Sequence, residues 1–247
     1  MRNRRKTILT VSAFLMIGLI AVIVFIIARP YRADDGARSA LAGDGKVVVN
    51  DFAGFIRFAP AETKDLTGII IYPGGLVEAE SYAPLAYELA LDGYTTFIVR
   101  MPFNLAVLDP GKADQVIAAN PQFDTWIVGG HSLGGAMAAQ FADNNTEVDG
   151  LFLLAAYPPD STDLRDEPYP AVSIYGSSDT VLNRDAVSKS NLPAENEIIV
   201  IEGGNHAQFG SYGAQAGDSP PSVSVTEQIS RTVSAIETYL LAAPLQQ

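Results

Sequence analysis

Ser132 stands inside Gly130-His131-Ser132-Leu133-Gly134, the Gly-x-Ser-x-Gly pattern that holds a nucleophile on a sharp strand-to-helix turn. A serine hydroxyl attacks a carbonyl only when a base removes its proton, and histidine usually does so. The chain contains 2 histidines. His131 adjoins Ser132, so on a tight turn its side chain points away from the hydroxyl. His206, in Gly203-Gly204-Asn205-His206, is then the histidine that could serve. Either His206 is the base for Ser132, or the chain does no Ser-His chemistry.

A third group is needed to orient the imidazole and stabilise its charged form. Asp179 follows an apolar run at 171–175 through Gly176-Ser177-Ser178 and gives the chain order Ser132, Asp179, His206. Asp160 and Asp163, after the apolar run at 150–155, are the alternatives. Negative charge developing on the attacked carbonyl needs backbone N–H donors. One expected donor is the Leu133 amide, just after the serine. The other is the amide of Gly75 or Leu76, in the turn Pro73-Gly74-Gly75-Leu76.

These groups need elements to carry them. Short apolar runs at 47–49, 55–58, 68–72, 95–100, 125–128, 150–155, 171–175 and 197–201 read as strands. Helical spacing falls at 82–91, 112–119, 135–144 and 225–241. Continuous apolar strands alternating with helices imply a parallel sheet covered on both faces. Ligands of such sheets bind at the carboxyl ends of the strands, and every motif named above follows a strand. Two histidines cannot form a metal cluster of recognisable spacing, and no phosphate-binding or dinucleotide loop is present.

From about residue 45 to 245 the chain resembles an α/β-hydrolase, of the compact kind related to dienelactone hydrolases and small serine esterases. The resemblance rests on YPGG at 72–75, GGHSLGG at 129–135, YGSSD at 175–179 and GGNH at 203–206. It implies an α/β fold with a doubly wound, mostly parallel sheet, and a serine ester hydrolase working through an acyl-enzyme on a small-molecule ester without a cofactor. An acyltransferase on envelope components, or a non-catalytic binding module on the same fold, are the other readings. Dienelactone hydrolases proper use a cysteine nucleophile, and this chain has no cysteine. Pro73 replaces a histidine found in many lipases. The span 157–170 is too short for a large lid.

The front of the chain differs in kind. Residues 7–28 carry no charge. As a helix they would extend about 33 Å at roughly 1.5 Å per residue, enough for a bilayer core of about 30 Å. Arg2, Arg4, Arg5 and Lys6 precede this stretch, and Arg29 and Arg32 follow it. The imbalance predicts a single-pass anchor with its N-terminus cytoplasmic and the rest outside. A cleaved signal peptide is the rival, with a small-x-small site at Ala40-Leu41-Ala42. The apolar stretch exceeds the usual 7–15 residues, which favours an uncleaved anchor. The predicted organisation is a basic tip and anchor over 1–32, a juxtamembrane linker over 33–45, and a catalytic domain over 46–247. Beyond residue 32 the chain holds ten basic residues against 28 acidic ones. A body that acidic excludes nucleic-acid binding.

Overall fold

The computed structural model describes Met16 and residues 29–63, 66–188 and 190–241. The expected span at 7–28 falls outside the described residues, Met16 excepted. Among the described residues no helix is long and apolar enough to cross a membrane. The chain divides into two compact units, Met1–Pro30 and Tyr31–Gln247, and the sheet lies wholly in the second.

That sheet has eight strands: β1 (Val47–Asp51), β2 (Phe55–Pro60), β3 (Thr67–Tyr72), β4 (Thr95–Val99), β5 (Thr125–His131), β6 (Gly150–Leu154), β7 (Ala171–Gly176) and β8 (Asn196–Ile201). Their spatial order is β1-β2-β4-β3-β5-β6-β7-β8. β1 and β2 are antiparallel to each other, and β2 is antiparallel to β4. The remaining pairs are parallel. Side chains alternate across the pleat, so each central strand feeds two cores. Ile69, Ile71 and Ile127 enter one. Ile70, Tyr72, Trp126 and Val128 enter the other. Each buried Ile or Val contributes roughly 1.5–3 kcal/mol.

Helices close both faces. α1 is Asp35–Leu41, α2 Ala83–Leu91, α3 Ala113–Ala119, α4 Leu133–Ala142, α5 Arg184–Ser188 and α6 Val225–Ile236. α2 and α6 cover the first core. α3 and α4 cover the second. α6 starts at Ser224, whose hydroxyl accepts the Glu227 amide as an N-cap. Gly68 is required where it stands, because a Cβ there would lie 2.3 Å from the Trp126 ring.

The expected linker at 33–45 is a correction. It folds onto the body as α1, with Ala37 wholly buried. The Asp34 carboxylate caps it by accepting the Ala37 amide, while Asp35 and Arg38 complement the helix dipole at opposite ends. The segment before it docks too. Tyr31 bridges Val77, its N–H donating to the Leu76 carbonyl at 2.7 Å and its carbonyl accepting from Glu78 N–H at 3.0 Å. Asp34 N–H donates to the Ser211 carbonyl at 3.0 Å, and Ser211 Oγ donates to Asp34 Oδ1 at 2.8 Å. A short, small-residue helix carries too few apolar positions to show a helical period.

Candidate active site

β5 lies between β3 and β6, and Ser132 follows its last residue. Ser132 sits at φ 52°, ψ −123°. A non-glycine residue held there stores strain of order 1–3 kcal/mol, which surrounding packing must offset. That packing is tight. A Cβ at Gly130 would lie 2.5 Å from the Tyr72 carbonyl oxygen, and one at Gly134 would lie 2.2 Å from that of Pro73. The two glycines of the elbow therefore let α4 rise directly against the end of β3. Ser132 N–H donates to the Leu154 carbonyl at 2.9 Å and is spent. Leu133 N–H, at the first position of α4, has no acceptor among the described residues.

The turn after β3 separates the two expected donors. Leu76 N–H donates to the Asn104 carbonyl at 2.7 Å, so it is engaged. Gly74 N–H donates to the Tyr82 hydroxyl at 2.9 Å. Gly75 N–H has no acceptor among the described residues. Gly75 also abuts the elbow, where a Cβ would stand 3.1 Å from Leu133 Cδ2. Gly75 and Leu133 are thus the pair whose amides are available side by side.

His206 and Asp179 are brought together. Asp179 Oδ2 lies 2.8 Å from His206 Nδ1, with the two residues 2% and 1% exposed. The other carboxylate oxygen accepts the amides of Val181 at 2.8 Å and Leu182 at 2.9 Å. Burial pushes the Asp179 carboxyl up. The hydrogen bond and charge of His206, with those two amides, outweigh burial and hold it below the ordinary carboxylate value. An ionised Asp179 can only accept, so in the neutral imidazole of His206 the proton sits on Nδ1 and the lone pair on Nε2. Nε2 is buried and has no hydrogen-bond partner among the described residues, Ser132 included. Bonds of this kind commonly tighten only when substrate is bound.

The His206 loop is braced from below. Gln228 on α6 accepts the Asn205 amide at 2.9 Å and donates to its carbonyl at 2.8 Å. Asp218 accepts the Ala207 amide at 2.9 Å. The loop meets β7 closely enough that a Cβ at Gly176 would lie 2.2 Å from the Gly204 carbonyl. Nothing in the local sequence marks Gln228, Asp218 or Tyr82 as parts of this site. Each acts through a contact distant along the chain.

The alternatives to Asp179 are elsewhere. Asp163 pairs with Arg165 on the surface. Asp160 lines a separate polar cavity. Residues 101–105 do not line the pocket of Ser132; the Asn104 carbonyl instead fixes the turn at Leu76.

Ser132, Leu133 and His206 share a pocket of about 430 Å³ with Ala136, Met137, Ala155, Tyr157 and Leu182. Its walls are mostly apolar. A hydroxyl on a strained turn and a histidine paired to a buried carboxylate in one apolar pocket, with the free Leu133 amide in it and the free Gly75 amide against Leu133, are able to run acyl transfer at a carbonyl.

Comparison with known proteins agrees with this architecture. Residues 68–230 match the family described as alpha/beta hydrolase. No curated protein matches the sequence at significance. Among solved structures, dienelactone hydrolase from Anabaena variabilis ATCC 29413 superposes with a TM-score of 0.58 at 14% identity, covering 79% of this chain and 99% of its own. MGS-MChE2, an alpha/beta hydrolase enzyme from the metagenome of lagoon sediments at Mar Chica, Morocco, gives 0.56 at 14% identity, covering 77% and 98%. A protein described as a predicted CIB-like hydrolase, from Thermoplasma acidophilum, gives 0.55 at 14% identity, covering 78% and 97%. At such identities the likeness is one of fold.

Proposed function

The chain belongs to the alpha/beta hydrolase family, and on that premise we propose that it is a membrane-anchored serine hydrolase of carboxylic esters. The observation that carries this reading is His206, lining the pocket of Ser132 and paired behind it with the buried Asp179. Ser132 Oγ attacks the ester carbonyl as its proton passes to His206 Nε2. The carbonyl π pair becomes an oxyanion facing the amides of Leu133 and Gly75. The C–O bond to the alcohol breaks, and the alcohol leaves with the proton from His206. Water then gives a proton to His206 and attacks the acyl-enzyme. The acid is released, and the proton returns to Ser132. Asp179 holds the tautomer throughout.

Intact mass of residues 30–247 after exposure to a fluorophosphonate tests the nucleophile. One adduct is expected on the wild type and none on Ser132→Ala. In turnover of a p-nitrophenyl ester, Ser132→Ala or His206→Ala should lower kcat by roughly 10⁴–10⁶-fold. A folded wild type that takes no adduct would remove the serine hydrolase reading.

Transfer to an alcohol other than water is the second reading, and one observation favours it. The polar cavity of about 420 Å³ that includes Asp160, Thr162, Asp185 and Asn191 shares Tyr157, Pro159 and Asn183 with the Ser132 pocket. An acceptor alcohol has a place to sit beside the acyl-enzyme. Adding glycerol during ester turnover separates the two: ester products at the expense of free acid favour transfer, and acid alone favours hydrolysis.

The anchor rests on the charge-free stretch at 7–28 and its basic flanks. It places the catalytic unit outside the cytoplasm. Sedimentation of the full chain with membranes after alkaline washing, and digestion of the body by protease added to whole spheroplasts, are the expected results.

A further inference from the structure

We infer that Tyr82 is a positioning residue that aims the oxyanion amide of Gly75 and braces His131 against His206, through one hydroxyl bonded to both the oxyanion turn and the elbow. The inference rests on the reading of the pocket as a Ser132 acyl-transfer site.

Tyr82 is wholly buried at the end of the short 3-10 turn Ala79–Tyr82, just before α2. Its hydroxyl touches two polar atoms. Gly74 N–H donates to it at 2.9 Å, and it lies 2.7 Å from His131 Nδ1. An amide N–H can only donate, so the hydroxyl accepts from Gly74 and sends its own proton to His131 Nδ1. The His131 ring then carries its proton on Nε2. Gly74 has no space for a side chain: a Cβ would lie 2.8 Å from His131 Nδ1 and 2.9 Å from the Tyr82 oxygen. With the Gly74 amide fixed, and the Leu76 amide fixed by Asn104, Gly75 N–H between them has a set direction.

The second arm reaches the base. The His131 and His206 rings stand 4.6 Å apart between centroids. Burial first, and then the neighbouring charge of His206, hold His131 well below the ordinary histidine value. It therefore stays neutral beside His206 when that ring takes the serine proton. The turn carrying Tyr82 also meets the loop after His206. Ser211 N–H donates to the Ser81 carbonyl at 2.7 Å, and a Cβ on Gly210 would stand 3.4 Å from the Tyr82 ring. The Tyr82 side chain thus bonds the oxyanion turn and the elbow, and the turn that carries it bonds the histidine loop.

Aiming an amide affects the transition state and not the bound ester, so kcat and KM should separate. The test compares wild type with Tyr82→Phe, using p-nitrophenyl acetate and an alkyl trifluoromethyl ketone. The ketone accepts Ser132 Oγ at its carbonyl carbon, and its oxygen becomes an oxyanion in the same position. Tyr82→Phe should lower kcat about 10–100-fold, less than outright loss of a donor. KM should stay within about twofold, and the ketone Ki should rise by the factor by which kcat falls. A folded Tyr82→Phe with unchanged kcat and Ki, whatever its melting point, overturns the inference and leaves the Ser132 reading intact. Wild type without a fluorophosphonate adduct overturns both. If Tyr82→Phe does not fold, His131→Phe and His131→Asn replace it. His131→Phe removes the acceptor and should reproduce the loss; His131→Asn supplies an amide oxygen and should recover most of it. Equal activity of the two variants overturns the inference.

Discussion

His131 adjoins the nucleophile, yet it plays no part in proton transfer in the proposed mechanism. Its burial has a cost that appears in acid. The unfolded chain takes up a proton on this histidine below its ordinary value of 6.5, while the folded chain does not. The unfolded state therefore binds more protons as pH falls, and stability drops at up to about 1.4 kcal/mol per pH unit beginning near pH 6.5. Asp179 acts in the same direction but lower down. Its folded value is depressed, so its contribution is present above the ordinary carboxylate value of 3.8 and is lost as pH falls through the folded value. The windows separate the two groups. Urea unfolding between pH 4.5 and 7 should show a slope in the wild type that is shallower in His131→Asn. Parallel lines for the two proteins would contradict the assignment. Residues of this kind were partly legible. Ser132, His206 and Asp179 announce themselves because their chemistry needs fixed neighbours in sequence. Tyr82, Gln228 and Asp218 do not, because a side chain acting across the fold leaves no local pattern. The choice between Gly75 and Leu76 needed the Asn104 carbonyl, which no spacing rule would place there.

Strands and glycine turns could be read along the chain because buried parallel strands must be continuously apolar. The segment at 31–41 could not, since its small and polar residues match a linker. It is a strap instead. Tyr31 holds the turn at Leu76–Glu78, and Asp34 and Tyr31 hold the loop at Ser211 and Ala216. Both contacts fall on segments next to the site: one follows Gly75, the other follows His206. A body beginning at residue 43 keeps every strand of the sheet but loses these bonds. At roughly 0.5–1.5 kcal/mol for each of them, its stability should fall by about 2.5–7.5 kcal/mol relative to a body beginning at residue 30. Its kcat should fall as well, with the two segments released. Urea midpoints and ester turnover of the two chains decide it; equal midpoints would show the strap to be ornamental.

The order of strands in the sheet is a property of the whole molecule, and composition does not reveal it. Charge is also a whole-molecule property, and its effect on the site can be tested. Beyond residue 32 acidic side chains outnumber basic ones by 28 to ten, so the body repels anions at long range. Screening shortens that reach from about 30 Å at 0.01 M salt to about 8 Å at 0.15 M. The kcat/KM for an ester bearing a carboxylate should therefore rise severalfold across that range, while a neutral ester stays flat. An identical response of both esters would place the charge too far from the pocket to matter. Composition also gives this molecule its own reporters. It has 2 histidines and 1 tryptophan. Both imidazoles lie in the site, and Trp126 lies on the strand that carries the elbow. Isotope-labelled histidine would yield a spectrum containing nothing but the reaction centre, with tautomer and protonation read atom by atom. Fluorescence from the lone indole would follow the core beneath it. Chemistry and folding can be watched separately in the unmodified sequence.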